Sequence, residues 1–137
     1  MISDAEAQGV VRQLGYVPRT DLSGLYRMAE AFLCVSRHEG FGFPALEAMA
    51  CGTPVVSSLA GAMSQTLGNA AVSVNVEDVS SVADALAAVL SDASLRYKMS
   101  RAGLRQSRRF RWENTLDDLL DTYQAACVQR RGRTRSR

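Results

Sequence analysis

Two glutamates, Glu39 and Glu47, stand eight positions apart with a glycine-rich stretch between them. Gly40 and Gly42 lack a Cβ atom, so main-chain N–H groups beside them could closely approach a bulky anion such as a diphosphate. Pro44 follows at once, and proline suits the first position of a helix because its φ is fixed and it has no N–H to leave unpaired. The stretch therefore predicts an anion-binding turn that leads into a helix.

Glu47 has apolar neighbours on nearly every side. They are Ala45, Leu46, Ala48, Met49, Ala50 and Cys51. A helix that is apolar nearly all round is expected to be buried, and a buried carboxylate needs a hydrogen-bonding partner. One partner that fits is a ribose diol, whose two hydroxyls can each donate to one carboxylate oxygen at roughly 1.5 to 3 kcal/mol per bond. We therefore predict that Glu47 is buried and binds a ribose.

Two other interpretations of this glutamate pair stay open. Glu39 and Glu47 could be acids that merely suit the dipole of a helix, each worth about 0.3 to 1 kcal/mol. They could also be the paired carboxyl groups of a glycoside hydrolase. The glycoside hydrolase interpretation gives no role to the glycines between the two acids, whereas the anion-binding turn explains both the glycines and the glutamates.

Short extended runs alternate with helical stretches along the first half of the chain, which is typical of crossover units on a parallel sheet. Strands are predicted near Val10–Leu14, Ala31–Val35, Pro54–Ser58 and Ala70–Val74. Ligands bind beyond the carboxyl ends of such strands, because the connecting loops gather there. The predicted fold class is an α/β, Rossmann-like parallel sheet, with its ligand crevice after Val35 and Val56.

Several helices are expected around this sheet. The first is predicted to be capped by Thr20 or Asp21, and the next to run from Pro44 to a left-handed end at Gly52. The second half of the chain is predicted to be helical, with a weaker helix over 94–109 between two apolar stripes. The stripes are Val79, Val82, Ala83, Leu86, Val89 and Leu90, then Leu116, Leu119, Leu120, Tyr123 and Cys127.

Length and charge narrow the classes of function. A chain of 137 residues has the length of one domain. Its net charge of +2 includes five arginines after Gln129, and the remainder carries 11 basic against 14 acidic residues, a net −3. This balance indicates no basic face of the kind that nucleic-acid binders use. No nucleic-acid partner is expected.

The cysteines and the hydropathy pattern point to a reducing compartment. Cys34, Cys51 and Cys127 lie far apart without metal-ligand spacing, so neither a disulfide framework nor a metal site is supported, and they are expected to be small buried hydrophobes. No apolar run approaches the length of a membrane span, and the first residues have no leader pattern. We expect a soluble, cytoplasmic protein.

The residues from Glu39 to Glu47, followed by Ala-Met-Ala-Cys-Gly-Thr-Pro-Val-Val, resemble the E-x7-E signature of the glycosyl transferases group 1 family, the retaining GT-B enzymes that use nucleotide sugars. The resemblance covers about 10–125. It implies the C-terminal, donor-binding lobe of a GT-B fold, which binds a UDP- or GDP-linked sugar without a metal ion or other cofactor. Flanking segments that agree are Leu14-Gly15-Tyr16-Val17, Leu25-Tyr26-Arg27-Met28-Ala29, Gly68-Asn69-Ala70-Ala71 and Phe110-Arg111-Trp112-Glu113.

By matching position, the resemblance implies that Glu39 is the catalytic residue beside the donor sugar and that Glu47 binds the ribose hydroxyls. The glycosyl group would pass to an acceptor hydroxyl with retained configuration. No general acid is needed, because a nucleoside diphosphate leaves readily once its charge is stabilised. The main-chain N–H groups that would contact the sugar and phosphates are those of Gly40, Phe41, Gly42 and Phe43.

Four further residues are weaker candidates for the site. Arg37 could reach the crevice as a cation for the diphosphate. His38 is the only histidine, and a structural or rim role suits its position better than a general base. Ser58, at a strand end, is of a type that more often forms turns than binds ligands. Gln65 stands where the family has an acidic residue, so the nucleotide side departs from the family pattern there.

The resemblance also implies that one lobe is incomplete on its N-terminal side. The family's Arg/Lys pair and its acceptor lobe lie upstream of the matched segments, so expected partners are a nucleotide sugar and a missing acceptor lobe or partner chain. Residues 1–128 would be the partial GT-B domain. Residues 129–137 would be a disordered Arg-rich tail that could contact anionic lipid at the inner face of the membrane.

Trp112 is expected to pack a helix start against the core. The alternative function is a non-catalytic nucleotide-sugar-binding or assembly module, or an inactive truncated fragment.

Overall fold

A parallel three-stranded sheet forms the centre of the fold. The computed structural model describes residues 9–134, with side chains over 9–127. Its strands are β1 (Phe32–Cys34), β2 (Val55–Ser57) and β3 (Ala71–Ser73), in the order β1-β2-β3. Leu33 pairs with Val56, and Val56 pairs with Val72. The predicted α/β class with a parallel sheet is confirmed.

Helices connect and cover the strands. They are α1 (Arg19–Met28), α2 (Phe43–Ala50), α3 (Met63–Leu67), α4 (Val79–Ser91), α5 (Ala93–Ser107) and α6 (Trp112–Thr134). Between β2 and β3, a short 3-10 helix over Gly68–Ala70 follows α3. The predicted helix over 94–109 is confirmed as α5, and Asp92 caps it by accepting from the main-chain N–H groups of Ser94 at 2.8 Å and Leu95 at 3.0 Å.

The start of the chain differs from the prediction. No strand forms over Val10–Leu14 within the described residues, because β1 is the edge of the sheet and nothing pairs these residues to it. Val10, Val11 and Leu14 are exposed. The predicted cap of α1 is also wrong: Pro18 precedes the helix, and the Thr20 hydroxyl donates to Asp21 Oδ1 at 3.0 Å instead of to the helix end.

The core has one cluster on each face of the sheet, because neighbouring residues of β2 point to opposite sides. Val55 packs with α2 and α3, where Met49, Met63 and Leu67 are almost fully buried. Val56 packs on the other face, with Val74, Val89 and Met99. All three residues of β2 are buried. This central strand therefore anchors the loops that follow β1 and β2.

The two apolar stripes predicted in the second half of the chain include residues that are exposed in the structure. Val82, Leu86 and Val89 of α4 do pack into the core, but Val79 and Leu90 are exposed because only one side of α4 meets the sheet. The α6 helix is present, yet its stripe is not buried against any described residue. The exposed members are Leu116, Leu119, Leu120, Tyr123 and Cys127.

Other predictions concern chain ends and cysteines. Cys34 and Cys51 are half-buried, whereas Cys127 is exposed, so the prediction of burial is wrong for Cys127. The α6 helix continues to Thr134. Residues 135–137 and the side chains after Cys127 lie outside the described residues, so the predicted division at residue 128 stays a prediction. No helix of the described part is long and apolar enough to cross a membrane.

Gly42 provides a test of the packing between α2 and α3. It precedes α2 with φ +82°, and a Cβ atom there would lie 2.6 Å from Met63 Cγ. We expect Gly42→Ala to lower the free energy of unfolding by about 2 to 4 kcal/mol, through left-handed strain and overpacking. Urea denaturation monitored by circular dichroism measures the change.

Gly40→Ala is the matched control. A Cβ atom at Gly40 would meet nothing within 4 Å, so this substitution should change stability by less than about 0.5 kcal/mol. Equal losses in the two variants would contradict the packing role of Gly42.

Candidate functional site

The loops after β1 and β2 are bonded to each other at the carboxyl edge of the sheet. The Ser58 hydroxyl donates to the Ser36 carbonyl at 2.6 Å, and the Ser58 N–H donates to the Cys34 carbonyl at 3.1 Å. Farther along, the Ala62 N–H donates to the Glu39 carbonyl at 3.3 Å. The predicted candidates Glu39 and Ser58 are thereby brought together, with Ser58 as the residue that joins the loops.

Gly61 is a structural residue of the site that was not predicted from the sequence. Its φ is +60°, and a Cβ atom would lie 2.5 Å from the Glu39 carbonyl oxygen. Leu59, two residues earlier, has φ +51° and donates its N–H to Ser57 Oγ at 3.2 Å. The glycine itself, in the turn after β2, was the sequence feature that could have indicated this contact. A glycine is needed there because the two loops approach each other closely.

Glu39 is half-buried and its carboxylate is held locally. The Ser36 hydroxyl donates to Glu39 Oε1 at 2.9 Å. Ser36 is in turn fixed through its carbonyl by Ser58. Gly40, the next residue, is exposed with open space on its Cβ side. The loop therefore offers a positioned carboxylate next to an accessible stretch of main chain.

Gly42 and the phenylalanines on either side of it lie at the start of α2, which begins at Phe43. Gly42 is buried against Met63, so its missing Cβ serves packing, whereas Gly40 leaves open space. Pro44 occupies the second helical position instead of the predicted first. Phe43 is largely exposed, and its ring centroid lies 4.4 Å from that of Phe41.

The structure corrects the prediction for Glu47, which is exposed. The buried face of α2 consists of Ala45, Leu46, Ala48 and Met49. Glu47 lies on the opposite, outer face, together with Ala50. Ala50 is apolar but exposed, so the segment is apolar in sequence on nearly every side although one side is not buried. Composition alone therefore misled the prediction.

Glu47 faces a cleft between α1 and α2 of about 220 Å³. The Tyr26 hydroxyl donates to Glu47 Oε2 at 3.3 Å. Burial raises the pKa of Tyr26, and the nearby Glu47 carboxylate raises it further by repelling the phenolate and by accepting a hydrogen bond from the protonated hydroxyl. The other residues that line the cleft are Arg19, Leu22, Ser23, Ala50 and Cys51.

The weaker candidates occupy the surface around these loops. Arg37 Nη2 lies 3.2 Å from Glu77 Oε2 and both side chains are largely exposed, so this ion pair links the loop after β1 to the loop after β3. His38 and Gln65 are exposed. Arg37 is thus engaged with a carboxylate, and a diphosphate would have to compete with Glu77 for it.

An aromatic cleft of about 280 Å³ adjoins the start of α2. The ring centroid of Phe41 lies 5.7 Å from that of Phe110, in an edge-to-face arrangement. Trp112 was predicted to pack against the core, but its side chain is 83% exposed, and Phe110 makes the contact instead. The other lining residues are Phe43, Leu46, Arg111 and Thr115.

Within the described residues, no three His, Cys, Asp or Glu side chains come close enough together to hold a metal ion. The expectation that donor binding needs no metal stays a prediction.

Comparison with known proteins identifies the family. Residues 1–106 match the family model of the glycosyl transferases group 1. The fold agrees, because a sucrose-phosphate synthase from Thermosynechococcus elongatus superposes with a TM-score of 0.77 at 26% identity, over 93% of this chain and 33% of that one. The chain belongs to the glycosyl transferases group 1 family and has the architecture of part of a GT-B lobe.

Curated relatives share this family. The chain is 37% identical over 123 residues to the O-antigen chain mannosyltransferase B of Escherichia coli, covering 90% of this chain and 32% of that protein. It is 36% identical over 138 residues to the D-inositol 3-phosphate glycosyltransferase of Salinispora tropica, covering 97% and 29%. The chain therefore spans about a third of the length of these relatives. Their names place the family in carbohydrate biosynthesis.

The contact between Tyr26 and Glu47 predicts how stability depends on pH. A tyrosine whose folded pKa lies above its unfolded value of 10.0 stabilises the fold fully below that value. The contribution is lost as pH rises from 10.0 through the folded pKa. We expect Tyr26→Phe to reduce the loss of unfolding free energy between about pH 9 and about pH 11, measured by urea denaturation.

Tyr97→Phe is the matched control, because Tyr97 is exposed on α5. The control should keep the alkaline loss of stability of the parent chain. An unchanged loss in Tyr26→Phe would contradict the assignment.

Proposed function

We propose that this chain binds a nucleotide sugar at the carboxyl ends of β1 and β2. As part of a complete two-lobed enzyme, it would transfer the glycosyl group to an acceptor hydroxyl with retained configuration. The observation that carries the proposal is the Glu39 loop, in which Ser36 positions the carboxylate at 2.9 Å beside the open main chain at Gly40. Membership of a glycosyltransferase family supplies the class of reaction.

Glu39 would act on the donor sugar. Its Oε1 atom already accepts from Ser36, so the carboxylate is oriented before a ligand arrives, and preorganisation of this kind favours the transition state. A carboxylate accepts hydrogen bonds from sugar hydroxyls and stabilises positive charge that develops at the anomeric carbon. Both roles require only that the donor sugar lie over the Gly40 main chain.

The start of α2 would receive the phosphates. Gly42 immediately precedes the helix, and the first main-chain N–H groups of a helix have no partner within it and point toward an approaching anion. The exposed main chain at Gly40 adds to this surface. With this arrangement the charge of a UDP or GDP leaving group is stabilised in part by the backbone, without a metal ion.

Glu47 would bind the ribose of the donor. Its exposure favours this role, because the carboxylate opens on a cleft of about 220 Å³ and is reachable by a ligand. Tyr26 donates one hydrogen bond, at 3.3 Å, and leaves other lone pairs of the carboxylate free. The two ribose hydroxyls would then donate to Glu47.

Transfer itself would require groups outside the described residues. An acceptor must be held close to the anomeric carbon, and positioning of this kind contributes several kcal/mol to catalysis. The chain spans about a third of the length of its curated relatives, which favours an acceptor lobe in another part of the protein or in a partner chain. This coverage also supports the second candidate, a module that binds nucleotide sugars without transferring them.

The ribose assignment predicts a specific loss of affinity. Glu47→Gln keeps the shape of the side chain but replaces one accepting oxygen with a donating amide. We expect UDP or GDP, whichever binds the parent chain, to bind about 1 to 3 kcal/mol more weakly in isothermal titration calorimetry.

Asp84→Asn is the control, since it makes the same chemical change at an exposed position on α4. It should leave nucleotide affinity unchanged. Equal affinity in Glu47→Gln and the parent chain would contradict the ribose role, while loss of affinity in both variants would point to a nonspecific charge effect.

A further inference from the structure

The α5 helix and the turn after it carry a concentration of positive charge that the net charge of the chain conceals. Seven basic residues and no acidic one lie between Arg96 and Arg111. Among the residues with described side chains, one of the seven forms an ion pair, with Arg96 Nε lying 2.8 Å from Glu30 Oε2. The other six are Lys98, Arg101, Arg105, Arg108, Arg109 and Arg111.

Two of these arginines border a cleft of about 510 Å³. The 3-10 helix that forms part of its wall leads directly into β3, so this wall lies at the amino end of that strand. The Glu39 and Ser58 loops instead follow the carboxyl ends of β1 and β2. No acidic side chain lines the cleft. Its lining residues are Gly68, Asn69, Ala70, Ala102, Arg105, Gln106 and Arg109.

Gln106 orders this cleft. Its Nε2 group donates to the Thr66 carbonyl at 2.8 Å, and its Oε1 atom accepts from Arg109 Nη1 at 3.4 Å. The carbonyls at the end of α5 are also engaged, since the Gln106 carbonyl accepts the Arg109 N–H and the Ser107 carbonyl accepts the Phe110 N–H, both at 3.1 Å. Among the described side chains, Arg105 makes no hydrogen bond and Arg109 makes only the one to Gln106, so their other donors are available to a ligand.

We propose that this cleft binds a phosphate group, with Arg105 and Arg109 as the cations and the Asn69 amide as a neutral donor. Arginine matches a phosphate well because its planar guanidinium can donate two parallel hydrogen bonds. The macrodipole of a helix amounts to about half a negative charge at its C-terminus, which is less than the charge of these two arginines. The phosphate could belong to a soluble compound or to a lipid headgroup, and the two sources share this chemistry.

The first arm of the test uses the full chain labelled with ¹⁵N and titrated with inorganic phosphate. We expect the largest amide shifts at Gly68 and Asn69, and we expect Arg105→Gln with Arg109→Gln to weaken binding at least tenfold. The control pair Arg12→Gln with Arg27→Gln removes the same charge from exposed positions elsewhere and should bind like the parent chain.

The second arm uses vesicles of phosphatidylcholine with and without phosphatidylglycerol, in a cosedimentation assay. Binding to anionic vesicles that the Arg105/Arg109 variant loses and the control pair keeps would assign the phosphate to a lipid headgroup. Loss in the first arm alone would assign it to a soluble compound.

Gln106→Ala checks the arrangement without changing the charge. We expect it to weaken binding about threefold or more, because Arg109 loses the side chain that orders it. Three results would overturn the proposal: no binding in either arm, equal binding by the Arg105/Arg109 variant and the control pair, or amide shifts centred on Gly40 instead of Asn69. Circular dichroism establishes that each variant is folded.

Discussion

The close approach of the Glu39 main chain to the turn after β2 is the contact on which the candidate site depends. A Cβ atom at Gly61 would lie 2.5 Å from the Glu39 carbonyl, and the Ala62 N–H donates to the same oxygen at 3.3 Å. Ser58 adds a 2.6 Å bond to Ser36. Because β1 and β2 are adjacent strands of one sheet, these contacts join the two connections into a single surface.

The α2 helix connects this surface to the core. Its inner face is buried, with Met49 almost fully enclosed, and its start rests on Met63 through Gly42. Its outer face presents Glu47 to α1, where Tyr26 donates to the carboxylate. The inner side of α2 is therefore buried in the core, whereas its outer side presents Glu47, the residue that we propose binds the ribose.

Much of the architecture could be predicted from the sequence, and the errors have physical causes. Three of the four predicted strands and the helices α1, α2, α4, α5 and α6 followed from periodicity and from the residues at helix ends, whereas α3 was not predicted. The left-handed end at Gly52 followed from its place before β2. Burial of Glu47 was predicted wrongly because alanine is apolar whether buried or exposed. The strand over Val10–Leu14 was predicted wrongly because extended residues form a strand only where a neighbour pairs with them. The role of Gly61 was not predicted because a contact between two loops has no periodic pattern in the sequence, and a single glycine was its only indication.

We propose that the joined loops after β1 and β2 bind a nucleotide sugar. The most direct measurement is a ¹H–¹⁵N NMR titration of the full chain with UDP-linked and GDP-linked sugars. We expect the largest amide shifts at Gly40, Gly61 and the cleft at Glu47, with little change in the aromatic cleft around Phe110. Shifts confined to that aromatic cleft or to Asn69, or the absence of shifts with every donor, would contradict nucleotide-sugar binding by these loops.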